Sequence, residues 1–334
     1  MAFQFPLSLL PVFFFLIALF FLDTFKLVKL RKIVFSIFAG CVVATAAMII
    51  NSFLFSNTGI DLKTYSRYAA PVVEETLKAA YLIYLIRMHK TGFFVDSALH
   101  GFAVGAGFAL IENIYYLTSL TTANPVVWIV RGFGTAIMHG GVTAIFAIVA
   151  KSYFDRQNGQ ANHPFLFGLF ISVALHSFFN HFVLSPLLST GLLMILLPVI
   201  IIFVFNRSEA ATRHWLGTGF DTDQELLDLI KSGNLSESRV GKYLSALKTS
   251  FPGELVADML CLLRLQVELA IRAKGELMMQ EIGFRVEPDP EIAAKFSEIK
   301  YLEKNIGKTG KLTIAPFLHT SSRDLWQLYL VGQK

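Results

Sequence analysis

The sequence predicts an all-α, polytopic membrane protein of about seven transmembrane helices with a C-terminal cytoplasmic α-helical domain. Of its 334 residues, 54% are hydrophobic and only 16% are charged, which lies outside the usual composition of soluble domains. Residues 1–206 carry 12 Lys and Arg against 7 Asp and Glu, whereas residues 207–334 carry 17 of each. We therefore expect a transmembrane domain at 1–206 and a soluble helical domain at 207–334.

Seven apolar stretches each approach the length of about 20 residues that crosses about 30 Å of hydrocarbon. The first has no basic residue before it and four soon after it, the reverse of a cleaved signal peptide. We expect it to remain as a spanning helix. The predicted spans are residues 5–22, 33–54, 68–86, 97–117, 126–150, 164–184 and 186–206.

The positions of Lys and Arg predict how the chain crosses the bilayer. With seven spans and the N-terminus outside, the inner loops hold eight basic residues and the outer loops hold two, Lys63 and Arg67. An excess of basic residues is typical of cytoplasmic loops. The C-terminal domain is therefore expected in the cytoplasm.

The soluble part reads as amphipathic helices at about 224–230, 240–248, 254–280 and 291–305. It contains no nucleotide-binding loop and no catalytic set, so its role is left open. The basic excess of the chain lies beside the membrane spans and not on a face of this domain, so we expect no nucleic-acid partner. Two cysteines, Cys41 and Cys261, are too few for a disulfide framework or a cysteine-based zinc site.

Ionisable side chains occur within the predicted spans, where each costs about 2.5 to 3.5 kcal/mol on insertion scales and is a candidate functional residue. Placing the third span after Glu75 would leave only residues 76–86 to cross the bilayer, which is too few. The same test keeps Glu112 inside the fourth span. The candidate catalytic residues in the spans are Glu74, Glu75, Lys78, Glu112, His139, His176 and Asn180.

Four of these groups have similar predicted depths. A rise of about 1.5 Å per residue from the outer end of each span places Glu75 about 10 Å, Glu112 about 8 Å, His176 about 12 Å and His139 about 16 Å into the membrane. These residues lie on four different helices. We therefore expect the helices to bring them together in one buried polar site that water reaches from outside.

Such a cluster is suited to hydrolysis. A carboxylate can remove a proton from water, and an amide can donate to the oxyanion of an acyl transfer. Two glutamates and two histidines can also form a zinc site with an open position. The sequence contains no His-Glu-x-x-His and leaves both routes open, a metal-bound water or a water activated by glutamate. The candidate zinc ligands are Glu75, Glu112, His139 and His176.

Four segments of the chain resemble the motifs of the PrsW family of intramembrane proteases, which is distantly related to CAAX-processing and bacteriocin-processing membrane proteases. The resemblance covers residues 65–185, and the order and spacing of the segments are more specific than any one segment. The segments are Ala70–Lys78 (APVVEETLK), Gly105–Asn113 (GAGFALIEN), Met138–Gly140 (MHG) and His176–Asn180 (HSFFN).

The resemblance implies cleavage of membrane-anchored regulators, such as the site-1 cleavage of anti-sigma factors, in a bacterial plasma membrane. The family is usually described as metalloproteases, whereas its relatives resemble glutamate-activated enzymes. The resemblance places Glu74, Glu75 and Lys78 in a Glu-Glu-x-x-Lys motif, Glu112 in a Phe-x-x-x-Glu motif, and His139 and His176 at the motif histidines.

The sequence thus predicts an intramembrane endopeptidase. Glu75 or Glu74 activates the water in the predicted mechanism, and Glu112 and the two histidines position it, directly or through zinc. Asn180 stabilises the oxyanion. Lys78 offsets the charge of the adjacent carboxylates.

Two other functions fit the same residues. A metal-dependent lipid amidase of the seven-helix ceramidase kind has a similar topology, but such enzymes are expected to use three histidines with Asp and Ser. A proton-coupled carrier would use the glutamates and histidines as a relay and predicts two pseudo-symmetric halves. No motif is shared between the halves of this chain. The oligomeric state is left open.

Overall fold

The computed structural model describes residues 3–120, 124–157, 163–284, 289–318 and 321–332. The structure is 87% helix, and no strand occurs in these ranges, which confirms the all-α prediction. The chain divides into two compact units, Met1–Glu209 and Ala210–Lys334. The functional assignment of a protease domain and a cytoplasmic domain stays a prediction.

The N-terminal unit is built from long helices and two π-helical segments. The π-helical segment Tyr65–Ala69 joins α3 to α4, and the π-helical segment Val130–Ala136 joins α6 to α7. The helices are α1 Gln4–Leu22, α2 Leu30–Thr58, α3 Leu62–Thr64, α4 Ala70–Arg87, α5 Phe94–Ser119, α6 Pro125–Ile129, α7 Ile137–Arg156, α8 His163–His181 and the first part of α9 Pro186–Lys231, which the boundary after Glu209 divides between the two units.

Five helical stretches of the described chain are long and apolar enough to cross a membrane, which supports an integral membrane protein. The predicted third and sixth spans lie on α4 and α8. These two helices are outside the set of five, because α4 carries four charged side chains and the described apolar stretch of α8 is the shorter segment Phe165–His181. The count of seven spans therefore stays a prediction. The five stretches are Gln4–Leu22, Leu30–Thr58, Phe94–Ser119, Pro125–Arg156 and Pro186–Lys231.

Helix α9 is longer than the sequence predicts. We expected the seventh span to end at residue 206 and a separate helix to begin at residue 224, but α9 continues without a break to Lys231. Residues 207–223 contain no proline. Their two glycines, Gly217 and Gly219, cost only about 1 kcal/mol each in a helix interior. The change from apolar to polar composition therefore marks a change of surroundings and not a helix end.

The C-terminal unit contains the three helices predicted after residue 231 and one that was missed. The missed helix, α13, starts with a capping box between Ser321 and Asp324. Helix α12 extends beyond its predicted end and is kinked at Gly307, whose φ of 63° is left-handed. The helices are α10 Arg239–Leu247, α11 Gly253–Glu281, α12 Glu291–Ile314 and α13 Ser322–Val331.

Glycines allow α5 to lie close to its neighbours in the N-terminal unit. A Cβ atom at Gly105 would overlap the backbone carbonyl of His139 in α7, and one at Gly107 would overlap that of Ile37 in α2. Small residues give helices this close approach in a membrane, where packing replaces the hydrophobic effect. The backbones of α5 and α7 are therefore near enough for short polar side chains to meet between them.

Candidate metal centre

One buried polar cluster lies where α4, α5, α7 and α8 meet. Hydrogen bonds and ion pairs connect its six members, which we call the polar cluster. Four members are at most 2% exposed, whereas the side chains of Glu74 and Glu112 are 14% and 23% exposed. The cluster therefore opens at these two glutamates. Its members are Glu74, Glu75, Lys78, Glu112, His139 and His176.

Glu75 is the buried centre of the polar cluster. Its Oε1 atom accepts hydrogen bonds from Lys78 Nζ at 2.6 Å and from His176 Nδ1 at 2.8 Å. Histidines that bind metals commonly donate their second ring nitrogen to a carboxylate in this way. The other ring nitrogen of His176, Nε2, faces Glu74 Oε2 at 3.9 Å. Glu75 thus orients the ring of His176 towards Glu74.

His139 connects the buried part of the cluster at Lys78 to its opening at Glu112. Lys78 Nζ lies 2.9 Å from His139 Nδ1, and His139 Nε2 lies 2.9 Å from Glu112 Oε2. An ammonium group can only donate, so Nδ1 accepts and Nε2 carries the ring proton that it donates to Glu112. The two imidazole rings meet edge to face, with 4.8 Å between their centroids.

Two residues that sequence reasoning missed hold Glu74. Asn51 Nδ2 in α2 donates to Glu74 Oε1 at 3.3 Å, and the Tyr65 hydroxyl donates to Asn51 Oδ1 at 3.0 Å. An amide within the apolar sequence of α2 was the available signal for Asn51, because a polar group in a span is costly without a partner. The chain from Tyr65 to Glu74 fixes one carboxylate at the opening.

Three members of the cluster have the geometry for a metal ion. Glu74, His139 and His176 each offer one ligand atom, and these atoms lie within 4.8 Å of one another. Two imidazoles and one carboxylate are the protein ligands of many catalytic zinc sites, which keep a fourth position open. The donor types therefore fit a zinc ion, and binding it would replace one of the two hydrogen bonds that His139 makes now, the one with Lys78 or the one with Glu112.

This set differs from the ligand set that the sequence suggested. Glu74 stands in it where we expected Glu75, since Glu75 already accepts two hydrogen bonds and its side chain is 1% exposed. Glu112 borders the set through its contact with His139. Adjacent glutamates on one helix could not be distinguished from sequence alone.

Asn180 is engaged elsewhere in the fold. Pro71 has no backbone N–H, so residue 71 cannot donate to the carbonyls of Arg67 or Ser66, four and five positions before it. Two side chains of α8 donate to these carbonyls instead: Ser177 Oγ to Arg67 at 2.6 Å and Asn180 Nδ2 to Ser66 at 2.9 Å. These bonds hold α8 against the start of α4. They account for an Asn at this position without a role in catalysis.

Arg131 is a further cation beside the cluster, which sequence reasoning did not place among the candidate site residues. It lies in the π-helical segment Val130–Ala136, and its Nη2 atom is 3.5 Å from Glu112 Oε1. Its Nε atom donates to Asn113 Oδ1 at 2.9 Å. The cation therefore stands next to the opening of the polar cluster.

Comparison with known proteins identifies one family. A family model described as PrsW family intramembrane metalloprotease matches residues 29–206. The match spans more than half of the chain and includes every member of the polar cluster. No curated protein and no solved structure matches the chain.

Proposed function

We propose that this chain, which belongs to the PrsW family of intramembrane metalloproteases, hydrolyses membrane-anchored regulatory proteins at the polar cluster. Membership makes the chain a membrane-embedded protease, as the sequence predicted. The substrate class, with anti-sigma factors as the example, and the roles of individual residues are our proposal. The observation that supports it most is the grouping of Glu74, His139 and His176 within 4.8 Å.

Zinc is the metal that we propose for this site. Glu74, His139 and His176 would hold it, and when bound it would supply an activated water and polarise the substrate carbonyl. Glu75 orients His176 through the hydrogen bond to Nδ1. Lys78, which is fully buried, balances the charge of Glu75.

Glu112 is the proposed general base, in place of Glu75 or Glu74. Of the three cluster carboxylates, its side chain is the most exposed, at 23%. The water oxygen attacks the carbonyl carbon, its proton passes to Glu112, and the C=O electron pair moves onto the carbonyl oxygen. When this oxyanion reforms the carbonyl, the C–N bond breaks and Glu112 returns the proton to the departing amine.

Three glutamine substitutions test these roles. We expect Glu74→Gln to abolish zinc binding, because a ligand is lost, and Glu75→Gln to weaken it by roughly 10- to 100-fold, as for other groups that orient a ligand. Glu112→Gln should keep zinc and lose cleavage. Zinc affinity is measured by competition with a chromophoric chelator, and cleavage on a membrane-anchored reporter.

The exposed Glu237 in the other unit provides the matched control. Glu237→Gln should change neither zinc affinity nor cleavage. Unchanged zinc affinity in Glu74→Gln would contradict the ligand assignment. Full cleavage in the presence of a strong chelator would contradict the metal route altogether.

A further inference from the structure

We propose that Arg131 donates a hydrogen bond to the oxyanion that forms on the substrate during hydrolysis. This inference rests on the proposed protease function and adds a residue to its machinery. It starts from Asn180, the amide that the sequence suggested for this task. The Asn180 Nδ2 atom already donates to the Ser66 carbonyl, so the oxyanion needs another donor at the opening of the polar cluster.

The guanidinium of Arg131 is held rigidly on one side. Its Nε atom donates to Asn113 Oδ1 at 2.9 Å, and Asn113 Nδ2 in turn donates to the carbonyl of Ser8 at 2.7 Å. The Tyr116 ring covers the guanidinium, with 3.5 Å from its carbon to the ring centroid. A donor that is fixed before the reaction needs no reorganisation when charge develops beside it.

A donor atom on the other side of the guanidinium is available to the substrate. The Nη2 atom is buried and has no hydrogen-bond partner within the described part of the chain. Glu112 Oε1, at 3.5 Å, attracts it as an ion pair without hydrogen-bond geometry. Buried polar atoms nearly always have a partner, and an exception needs an explanation. An acceptor that arrives with the substrate explains this one.

The position of Nη2 matches the proposed chemistry. Glu112 receives the proton of the water, so the attacked carbonyl must come near its carboxylate, which Arg131 flanks. Lys78 is a cation within the cluster, but it is fully buried and lies within hydrogen-bond distance of Glu75 and His139. A guanidinium keeps its charge and can only donate, which suits an oxyanion.

The effect of losing Arg131 should fall on the chemical step. We expect Arg131→Gln to lower kcat by roughly 10²- to 10³-fold, the loss seen when one oxyanion donor is removed, with KM and zinc content unchanged. Arg131→Lys should lose less, because it keeps the charge without the planar fork of donors. In Arg131→Ala, added methylguanidine should restore part of kcat, and methylamine should restore less.

The experiment uses the full zinc-loaded chain in detergent micelles with fluorescein-labelled casein, an unfolded polypeptide, as the probe. The values of kcat, KM, bound zinc and the melting temperature are measured for each variant. Arg156→Gln is the matched control, since Arg156 is exposed at the far end of the same helical run and, among the described residues, lies beside the Tyr153 ring. It should behave as the unmodified protein.

The outcomes separate this proposal from the one on which it rests. A protein that cleaves casein equally well with Arg131→Gln overturns the role of Arg131 alone. A loss of kcat in both Arg131→Gln and Arg131→Lys that follows a loss of zinc or of folding also overturns it, because the residue is then structural. If the unmodified zinc-loaded chain does not cleave casein, the membrane-anchored reporter takes its place as the probe; if the chain cleaves neither, the protease function fails and the inference fails with it.

Discussion

Two neighbouring glutamates, Glu74 and Glu75, have different surroundings although they are chemically identical. Successive residues of a helix point about 100° apart, so Glu75 points into the contact with Lys78 and His176 while Glu74 lies at the opening. The sealed carboxylate orients a ring, and the partly open one can bind a metal. Surroundings, and not residue type, divide the two roles.

The ion pair between Glu75 and Lys78 should be important for stability. Both side chains are at most 1% exposed, and removing one partner of a buried pair leaves an uncompensated charge. We expect Lys78→Met to lower the free energy of unfolding by about 3 to 5 kcal/mol. The double variant Lys78→Met, Glu75→Gln should recover much of this loss.

Thermal unfolding in detergent micelles measures both variants. A double variant as unstable as Lys78→Met would show that the packing of the Lys78 stem, and not its charge, is what matters. The Lys78 ammonium also lies 4.2 Å from the centroid of the Phe108 ring, so some of the loss should remain in the double variant.

For individual residues, the sequence was informative where the energetic cost of a polar side chain in lipid and its depth in the membrane could be estimated. Glu112, His139 and His176 were predicted to meet because each is expensive in lipid and lies at a similar depth, and the structure brings them together. Which of the two adjacent glutamates reaches the opening depends on the rotation of α4. The position of Arg131 depends on the π-helical segment that carries it. Neither the rotation of α4 nor the winding of the π-helical segment can be deduced from the spacing of residues in the sequence.

Among the helices, the start of α4 shows how a missing backbone N–H in one helix can position a neighbouring helix. Pro71 deprives two carbonyls of a donor from residue 71, and the side chains of Ser177 and Asn180 in α8 replace it. His176 precedes Ser177 directly. The bonds that satisfy the backbone of one helix therefore also place the candidate ligand of the other.

Substitution of Pro71 tests this relation. We expect Ser177→Ala to cost about 1 to 3 kcal/mol, because the Arg67 carbonyl loses its donor. In a Pro71→Ala background, residue 71 regains an N–H and can donate to this carbonyl, so the cost of Ser177→Ala should become smaller. The measurement is again thermal unfolding of single and double variants, and equal costs in the two backgrounds would contradict the account.

Helix existence could be predicted better than helix ends. Long apolar stretches and amphipathic periodicity predicted where most helices lie, including α11 within one residue at each end. The continuation of α9 and the whole of α13 were missed, since polar residues after a span do not end a helix and α13 spans only Ser322–Val331. The π-helical segments were missed because one extra residue per turn leaves no compositional sign.

For the protein as a whole, the arrangement in the bilayer is a prediction that native cysteines can test. Cys261 is exposed in the C-terminal unit, whereas Cys41 is half-buried in α2. In bacterial cells that express a Cys41→Ser variant, a membrane-impermeant maleimide should label Cys261 only after the inner membrane is opened. This follows from the eight basic residues of the inner loops.

A cysteine placed in the predicted outer loop provides the matched control. The same reagent should label Asn57→Cys, near the exposed end of α2, in cells with an intact inner membrane. Labelling of Cys261 in those intact cells would reverse the predicted orientation. It would also place the opening of the polar cluster nearer the cytoplasmic surface.

The π-helical segment Val130–Ala136 has a consequence for how sequences of this kind diverge. In a relative whose corresponding residues wound as an ordinary α-helix, with none deleted, Arg131 would turn by roughly 100° relative to His139, because a π-helical segment accommodates one extra residue. Both residues would survive in an alignment, yet the cation would leave the carboxylate that it now flanks. In such a relative, identity at every motif position would not guarantee a working enzyme, and the winding of the helix between the motifs would be the better guide to activity.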